Sequence, residues 1–304
     1  MNRYTNENIL KKTLFLIKDY MSYIIVKSIY SISKILPMCI LSNFCGIIVA
    51  ILGIPLKHSR IALSNFEKVF PEMPMFKRYK LLIECLFSLG KFGGELLYAY
   101  DMKEEKFKNI VSLQDKETEK ILNEIKNNNF GSVIFSGHFA NWEFALRHLC
   151  EYGIKLNVVY RELNNELIEK KVMLNMREKC GVIMISKGPT SIIKIFKALK
   201  KGENVLILPD QRYDGGIKSK LLGVDAYTSD SVPVIAKKFN CPIYSIVTIR
   251  ENFSSKFKIK ARNFKYSENE SNEVIVQNMN NVIGDWIKEN PNQWLFLHNR
   301  WKEK

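Results

Sequence analysis

The sequence is short of paired cysteines. Its six, Cys39, Cys45, Cys85, Cys150, Cys180 and Cys241, are scattered, and none forms a CxxC pair. That excludes a disulfide scaffold and argues against a structural zinc module, and it reads as reduced thiols in a cytosolic setting. Histidine is scarce too: His58, His138, His148 and His298 are the four, none lies in an HExxH, and no metal site is expected. No G-x-S-x-G elbow occurs, which argues against a serine acyl-enzyme hydrolase. RRM, KH and zinc-finger signatures are missing, so a nucleic-acid partner is not expected. Acidic residues are outnumbered, with 31 Asp and Glu against 46 Lys and Arg, a net charge of +15. Such a balance suits an anionic partner: an acidic lipid surface, an acidic protein or an acidic substrate.

What is present is globular. Of 304 residues, 46% are hydrophobic and 25% charged, enough for a full core in one large domain or two small ones. Residues 9–35 space their charges, Lys11, Lys12, Lys18, Asp19, Lys27 and Lys34, along a mostly apolar helix. A basic amphipathic helix of this kind belongs at a membrane surface. Residues 35–56 carry no charge and nearly reach the length of a bilayer span, although Pro37, Asn43 and Gly46 weaken a straight helix. A half-inserted hairpin and a buried core helix are the alternatives. The long charged region and the missing Ala-x-Ala site argue against a cleaved signal. Residues 1–58 are therefore expected to form a membrane anchor, ahead of a catalytic domain at 59–304.

Within that domain, residues 59–128 read as helical. One helix should stop before Pro71, a second over 77–100 offers Gly90, Gly93 and Gly94 for close packing, and a third covers 116–128. From residue 129 the texture alternates. Strands are expected at 131–137, 156–161, 182–186, 204–210 and 241–250, with an edge strand at 256–264. Helices separate them at 143–153, 166–181, 191–202 and 231–240, and 273–289 is the last. Alternation of this kind makes an α/β fold with a mostly parallel central sheet flanked by helices.

In such sheets ligands bind beyond the carboxyl ends of the strands. Three polar groups stand there: His138 to Glu143, then Arg161, then Asp210 with Gln211. His138 and Glu143 are five residues apart, about 140° around an ideal helix. They can meet only if His138 sits in the loop and Glu143 in the first helical turn. A carboxylate on one ring nitrogen would leave the other free to take a proton. A merely structural strand-end histidine fits the spacing as well. Asn141 is placed to cap the helix or touch substrate, with capping favoured. The C-terminal cluster Trp294, His298, Arg300 and Trp301 fits either packing of a last strand or contact with anionic head groups.

His138-Phe139-Ala140-Asn141-Trp142-Glu143 resembles the H-x4-E box of the late lipid A biosynthesis acyltransferases, the lauroyl and myristoyl transferases. Further stretches match in order: Asn65-Phe66 with Val69-Phe70-Pro71, Val159-Tyr160-Arg161, Lys187-Gly188, Leu208-Pro209-Asp210-Gln211, and Trp294 to Lys302. The similarity covers nearly the whole chain. After Gln211 the sequence departs, with Leu221-Leu222-Gly223 where the family has an apolar Phe-Phe-Gly.

The resemblance implies a glycerol-phosphate-acyltransferase-like fold and a cofactor-free acyl transfer. Acyl carrier protein would be the donor and a hydroxyl of a lipid A precursor the acceptor. The place implied is the cytoplasmic face of a bacterial inner membrane. It implies His138 as general base, Glu143 as its orienter, and Arg161 as an oxyanion or phosphate contact. Asn141, Asp210, Gln211 and Arg300 would shape the substrate site. Lys200, Lys201, Lys218, Lys220, Lys237 and Lys238 are candidates for a basic face that steers acidic partners. The rivals are an acyltransferase of the same fold with another acceptor or acyl-CoA, a hydrolase, and a non-catalytic membrane-binding protein.

Overall fold

The computed structural model describes residues 9–302; the outer ends of the two expected segments, residues 1–8 and 303–304, lie outside the described residues. Four helices come first: α1 (Ile9–Ser33), α2 (Met38–Gly53), α3 (Lys57–Val69) and α4 (Met75–Leu96). Helix α3 stops two residues before Pro71, because a residue ahead of proline is pushed out of the helical region. Helix α2 has 16 residues, which is about 24 Å of rise and short of a bilayer core. Among the described residues no single helix is long and apolar enough to cross a membrane; α2 and α3 together have the composition but bend by 84° between them.

Helix α2 lies flat on α4, and glycine makes that possible. A Cβ on Gly90 would stand 2.4 Å from the Cys45 carbonyl oxygen, and one on Gly94 would stand 2.9 Å from Ser42 Cα. Gly93 faces open space, so the close-packing row is Gly90 and Gly94, one turn apart. Gly90→Ala is therefore expected to destabilise the protein by about 1–3 kcal/mol, because the obstacle is backbone and cannot rotate away. Thermal unfolding in detergent tests this, with Gly93→Ala as the neutral control.

The remaining chain alternates as expected, with additions. In order come α5 (Glu104–Lys108), β1 (Val111–Leu113), α6 (Lys116–Asn127), β2 (Val133–Phe135), α7 (Trp142–Glu151) and β3 (Leu156–Tyr160). Then follow α8 (Glu166–Ile168), a π-helical turn (Glu169–Leu174), α9 (Asn175–Glu178), β4 (Ile183–Ser186), α10 (Ser191–Lys200) and β5 (Asn204–Ile207). The chain ends with β6 (Ile217–Leu221), β7 (Val224–Thr228), α11 (Ser231–Phe239), β8 (Ile243–Arg250), β9 (Phe257–Phe264) and α12 (Asn272–Glu289). Seven strands form one sheet in the order β1-β9-β8-β2-β5-β3-β4, parallel except where β9 meets β8. The central strands β2 and β5 are buried throughout, as a strand covered by helices on both faces must be.

Four expectations change. Strand β9 is not the edge, because the three-residue β1 pairs outside it. The expected helix over 166–181 is broken by the π turn. The strand expected at 204–210 ends at Ile207, which frees Leu208-Pro209-Asp210 to turn. The stretch after Gln211 folds into the β6–β7 hairpin. Its two-residue turn has positive φ at both positions, Leu222 at 54° and Gly223 at 82°, the requirement of a type I′ turn. Leucine in place of the usual asparagine hid it.

The connections decide where the site falls. Val133 and Phe135 of β2, with Val205 and Ile207 of β5, share one core with α10, α11 and α12. Ile134 and Leu206 face the other core, with Phe144 and Leu149 of α7. The chain thus leaves β2 toward one face and reaches α11, after β5, on the other. Neighbouring parallel strands whose connections part in this way open a crevice at their carboxyl ends.

Candidate active site

His138 and Asp210 stand on the two sides of that crevice. His138 Nδ1 is 2.8 Å from Asp210 Oδ1. The His138 backbone N–H donates to Asp210 Oδ2 at 2.8 Å, and the Trp294 indole N–H donates to the same oxygen at 2.9 Å. Asp210 is buried. Burial alone would raise its pKa, but the charge and hydrogen bonds of His138, with the Trp294 bond, hold it below the usual value. An ionised carboxylate at Nδ1 keeps the proton on that nitrogen. Nε2 is then the basic one, and it has no partner among the described residues. The His138 side chain is 19% exposed. It opens on a narrow cleft between α4 and the C-terminal segment, lined by Cys85, Leu89, Phe92, Trp142, Trp294 and Leu297 among others. Trp142 stands edge-on to the imidazole at 4.8 Å and stacks on Phe92 at 4.0 Å.

Spacing within the H-x4-E box pointed to Glu143 as the carboxylate on the ring. The geometry differs. Glu143 lies in the first turn of α7 and is held elsewhere than on the ring: Tyr100 donates to its Oε2 at 2.5 Å, and Arg177 Nη2 and Nε donate to Oε1 and Oε2 at 2.5 and 3.1 Å. Glu143 is 2% and Arg177 12% exposed at the side chain. Removing one partner from a buried ion pair strands the other. Glu143→Ala is therefore expected to cost about 3–5 kcal/mol of stability. Circular dichroism melts check this; an unchanged melt with activity abolished would point to a chemical role for Glu143 instead.

The other expected residues are dispersed. Arg161 follows β3 at the same edge of the sheet, exposed, two strand spacings (about 10 Å) from His138. Gln211 is half-buried beside Asp210. Asn141 occupies the N-cap position of α7 but its side chain makes no capping bond; it is fully buried and its amide reaches Glu95 Oε2 at 3.4 Å. Arg300 is fully buried, bonded to the Tyr227 carbonyl at 2.6 Å and to Thr228 Oγ1 at 2.5 Å. It fastens the β6–β7 hairpin and offers nothing to a head group. His298 Nε2 accepts the Arg212 backbone N–H at 3.1 Å, and burial lowers its pKa.

The candidate basic face divides as well. Lys200, Lys201, Lys237 and Lys238 end helices that return to the amino edge of the sheet, opposite the crevice. Lys218 pairs with Asp225 at 2.8 Å on the hairpin. The residue that sequence reasoning underrated is Trp294, for which only packing or a head-group contact was considered. Phe139 bridges to it, which brings the C-terminal segment alongside the His138 loop. No local signal in the sequence announces a pairing across that distance.

A buried carboxylate on one ring nitrogen of a histidine, with the other nitrogen unpartnered among the described residues and both at a topological switch point, is an arrangement that is able to take up a proton. The comparisons give the class its name. The chain matches the model of the bacterial lipid A biosynthesis acyltransferases over residues 9–303, and it belongs to that family. It is 25% identical over 260 residues to the lipid A biosynthesis palmitoleoyltransferase of Escherichia coli K12, covering 82% of this chain and 80% of that one. A lipid A biosynthesis acyltransferase of Shigella flexneri matches equally, at 25% with the same coverage. The lauroyltransferase of E. coli K12 is 24% identical over 279 residues, 86% of this chain and 84% of its own. The protein is an acyltransferase of lipid A biosynthesis.

Proposed function

We propose that this enzyme moves a fatty acyl chain from the thioester of acyl carrier protein to a hydroxyl of a lipid A precursor, at the cytoplasmic face of a bacterial inner membrane. The observation that carries the reading is the His138–Asp210 pair, in which Nε2 is left without a partner among the described residues and His138 lines the cleft. Nε2 takes the proton of the acceptor hydroxyl as its oxygen attacks the thioester carbonyl. The tetrahedral intermediate collapses, the C–S bond breaks, and the imidazolium returns its proton to the leaving thiolate. Asp210 keeps the ring in the Nδ1–H tautomer and offsets the positive charge that develops on it. No covalent acyl-enzyme is needed. Arg161 stands at a distance that suits a substrate phosphate better than the reacting carbonyl. Gln211, between the two, lines the acceptor side. Glu143 supports the loop from behind through Arg177.

Support for a membrane surface comes from what the N-terminal helices leave uncovered. Leu14, Ile17, Tyr20, Met21 and Ile25 of α1 are exposed, as are Phe44, Ile47, Ile51 and Leu52 of α2. Helix α1 is tied to the carboxyl edge of the sheet, where the Asn165 side chain donates to the Asp19 carbonyl at 2.8 Å. Residues 1–58 are thus read as an anchor that lies on or enters the bilayer beside the crevice.

The test is turnover by the purified protein in detergent. Acyl carrier protein loaded with medium and long chains would be offered with a tetra-acylated lipid A precursor, and products read by mass spectrometry. Addition of one acyl mass supports the reading. Turnover only with acyl-CoA, or only on a glycerolipid, would move it to the sister activity; thiol release without any acyl acceptor would make it a hydrolase.

A further inference from the structure

A second set of buried charges, none of them in contact with Asp210, converges on the His138 loop. Glu95 of α4 is fully buried. It holds Arg250, the last residue of β8, with a two-pronged pair at 2.5 and 2.7 Å. The Asn141 amide reaches the same carboxylate at 3.4 Å, and the Ser42 hydroxyl of α2 donates to it at 2.9 Å. Gln293 clasps the Arg250 main chain: its Oε1 accepts the Arg250 N–H at 2.7 Å and its Nε2 donates to the Arg250 carbonyl at 2.9 Å. The carbonyl of Gln293 in turn accepts the Ala140 N–H at 2.8 Å. Ala140 and Asn141 are thus both hung on one ion pair, by two separate routes.

The loop requires such a hold. Ala140 has φ of 42°, the left-handed region that a residue with a Cβ avoids unless its surroundings impose it. Released, Ala140 would relax toward the extended or right-handed region and carry His138 away from Asp210. The transfer chemistry itself has no use for Glu95 or Arg250.

We propose that Glu95 and Arg250 are positioning residues, which hold the loop of His138 in its strained working conformation through Asn141 and Gln293. The proposal rests on the acyltransferase reading for its kinetic test, but its structural test stands apart. Glu95→Gln, Asn141→Ala, their double variant, Gln293→Ala and Ser42→Ala would be made in the full chain and studied in detergent. For each, kcat, KM for the acyl thioester and the melting temperature would be measured, with peptide-level hydrogen exchange over 137–142.

Glu95→Gln and Asn141→Ala should each lower kcat about tenfold or more, with KM within about twofold. The double variant should be no worse than Glu95→Gln alone, since both act on one contact. Ser42→Ala touches Glu95 without touching the loop and should keep kcat within about twofold. Exchange over 137–142 should quicken in Glu95→Gln while the β2 and β5 amides stay protected. Unchanged exchange, effects that multiply, or a loss confined to KM would overturn the proposal. If Glu95→Gln does not fold, Asn141→Ala and Gln293→Ala decide: wild-type kcat and exchange in both would overturn it. If the wild type turns over neither thioester nor acceptor, the acyltransferase reading fails, and the exchange data still judge the positioning role.

Discussion

His138→Ala should lower kcat by about 10²–10⁴, the range ordinarily lost with a general base. The acceptor hydroxyl is a poor nucleophile while it keeps its proton, and with Nδ1 held by Asp210 the Nε2 atom is the ring nitrogen left without a partner among the described residues. The loss should fall on kcat, since the side chain removed contributes little binding surface. The loop should survive, because its main-chain bonds to Asp210 and from the Leu295 N–H at 3.2 Å do not need the imidazole. One cost remains. Asp210 Oδ1 loses its partner while buried, a penalty of about 1–3 kcal/mol. Release of free thiol from the acyl donor, followed beside a thermal melt, separates the two effects. Near-normal turnover in a folded variant would remove His138 from the chemistry.

Asp210→Asn is expected to be nearly as damaging, though it removes no atom from the site. The amide oxygen can still accept from the His138 N–H and the Trp294 indole, which places the amide nitrogen against His138 Nδ1. That nitrogen donates, so Nδ1 must accept and the ring proton moves to Nε2. In this tautomer Nε2 cannot take the hydroxyl proton. A fall in kcat of about 10²–10⁴ with little change in melting temperature is the expected pattern. The His138→Ala, Asp210→Asn double variant should be no slower than either single one, because the pair works as a unit. Additive losses, or a Glu143→Gln variant that reproduces the Asp210→Asn pattern, would return the orienting role to Glu143.

The two carboxylates show how far the sequence could be read. Glu143 lies five residues from His138 and its spacing is visible; Asp210 lies 72 residues away and its pairing is not. Both were marked as strand-end residues, and which of them meets the imidazole was not legible. Arg300 is a similar case. A basic residue in an aromatic cluster suggests a head-group contact, yet it is swallowed by the hairpin it supports, and the Leu222 turn that makes the hairpin carries no standard signal. The glycine row was half legible: spacing marked three positions, and only the approach of α2 singles out Gly90 and Gly94.

By itself the sequence determined most of the elements and their kind, the β6–β7 hairpin and the short β1 excepted. Apolar runs of strand length, helices of regular period, proline stops and the uncharged stretch near the N-terminus are local properties, set by steric preference and by which face can be buried. It also determined the family, since ordered motifs survive at about one quarter identity. Tertiary structure alone decided which charges meet. Strand order brings β5, not the first turn of α7, beside β2, and the opposite exits of those strands open the crevice. Burial then decides the chemistry. A carboxylate removed from water must find hydrogen-bond donors, and Asp210 finds them on His138 and Trp294, residues that only the folded chain brings to it.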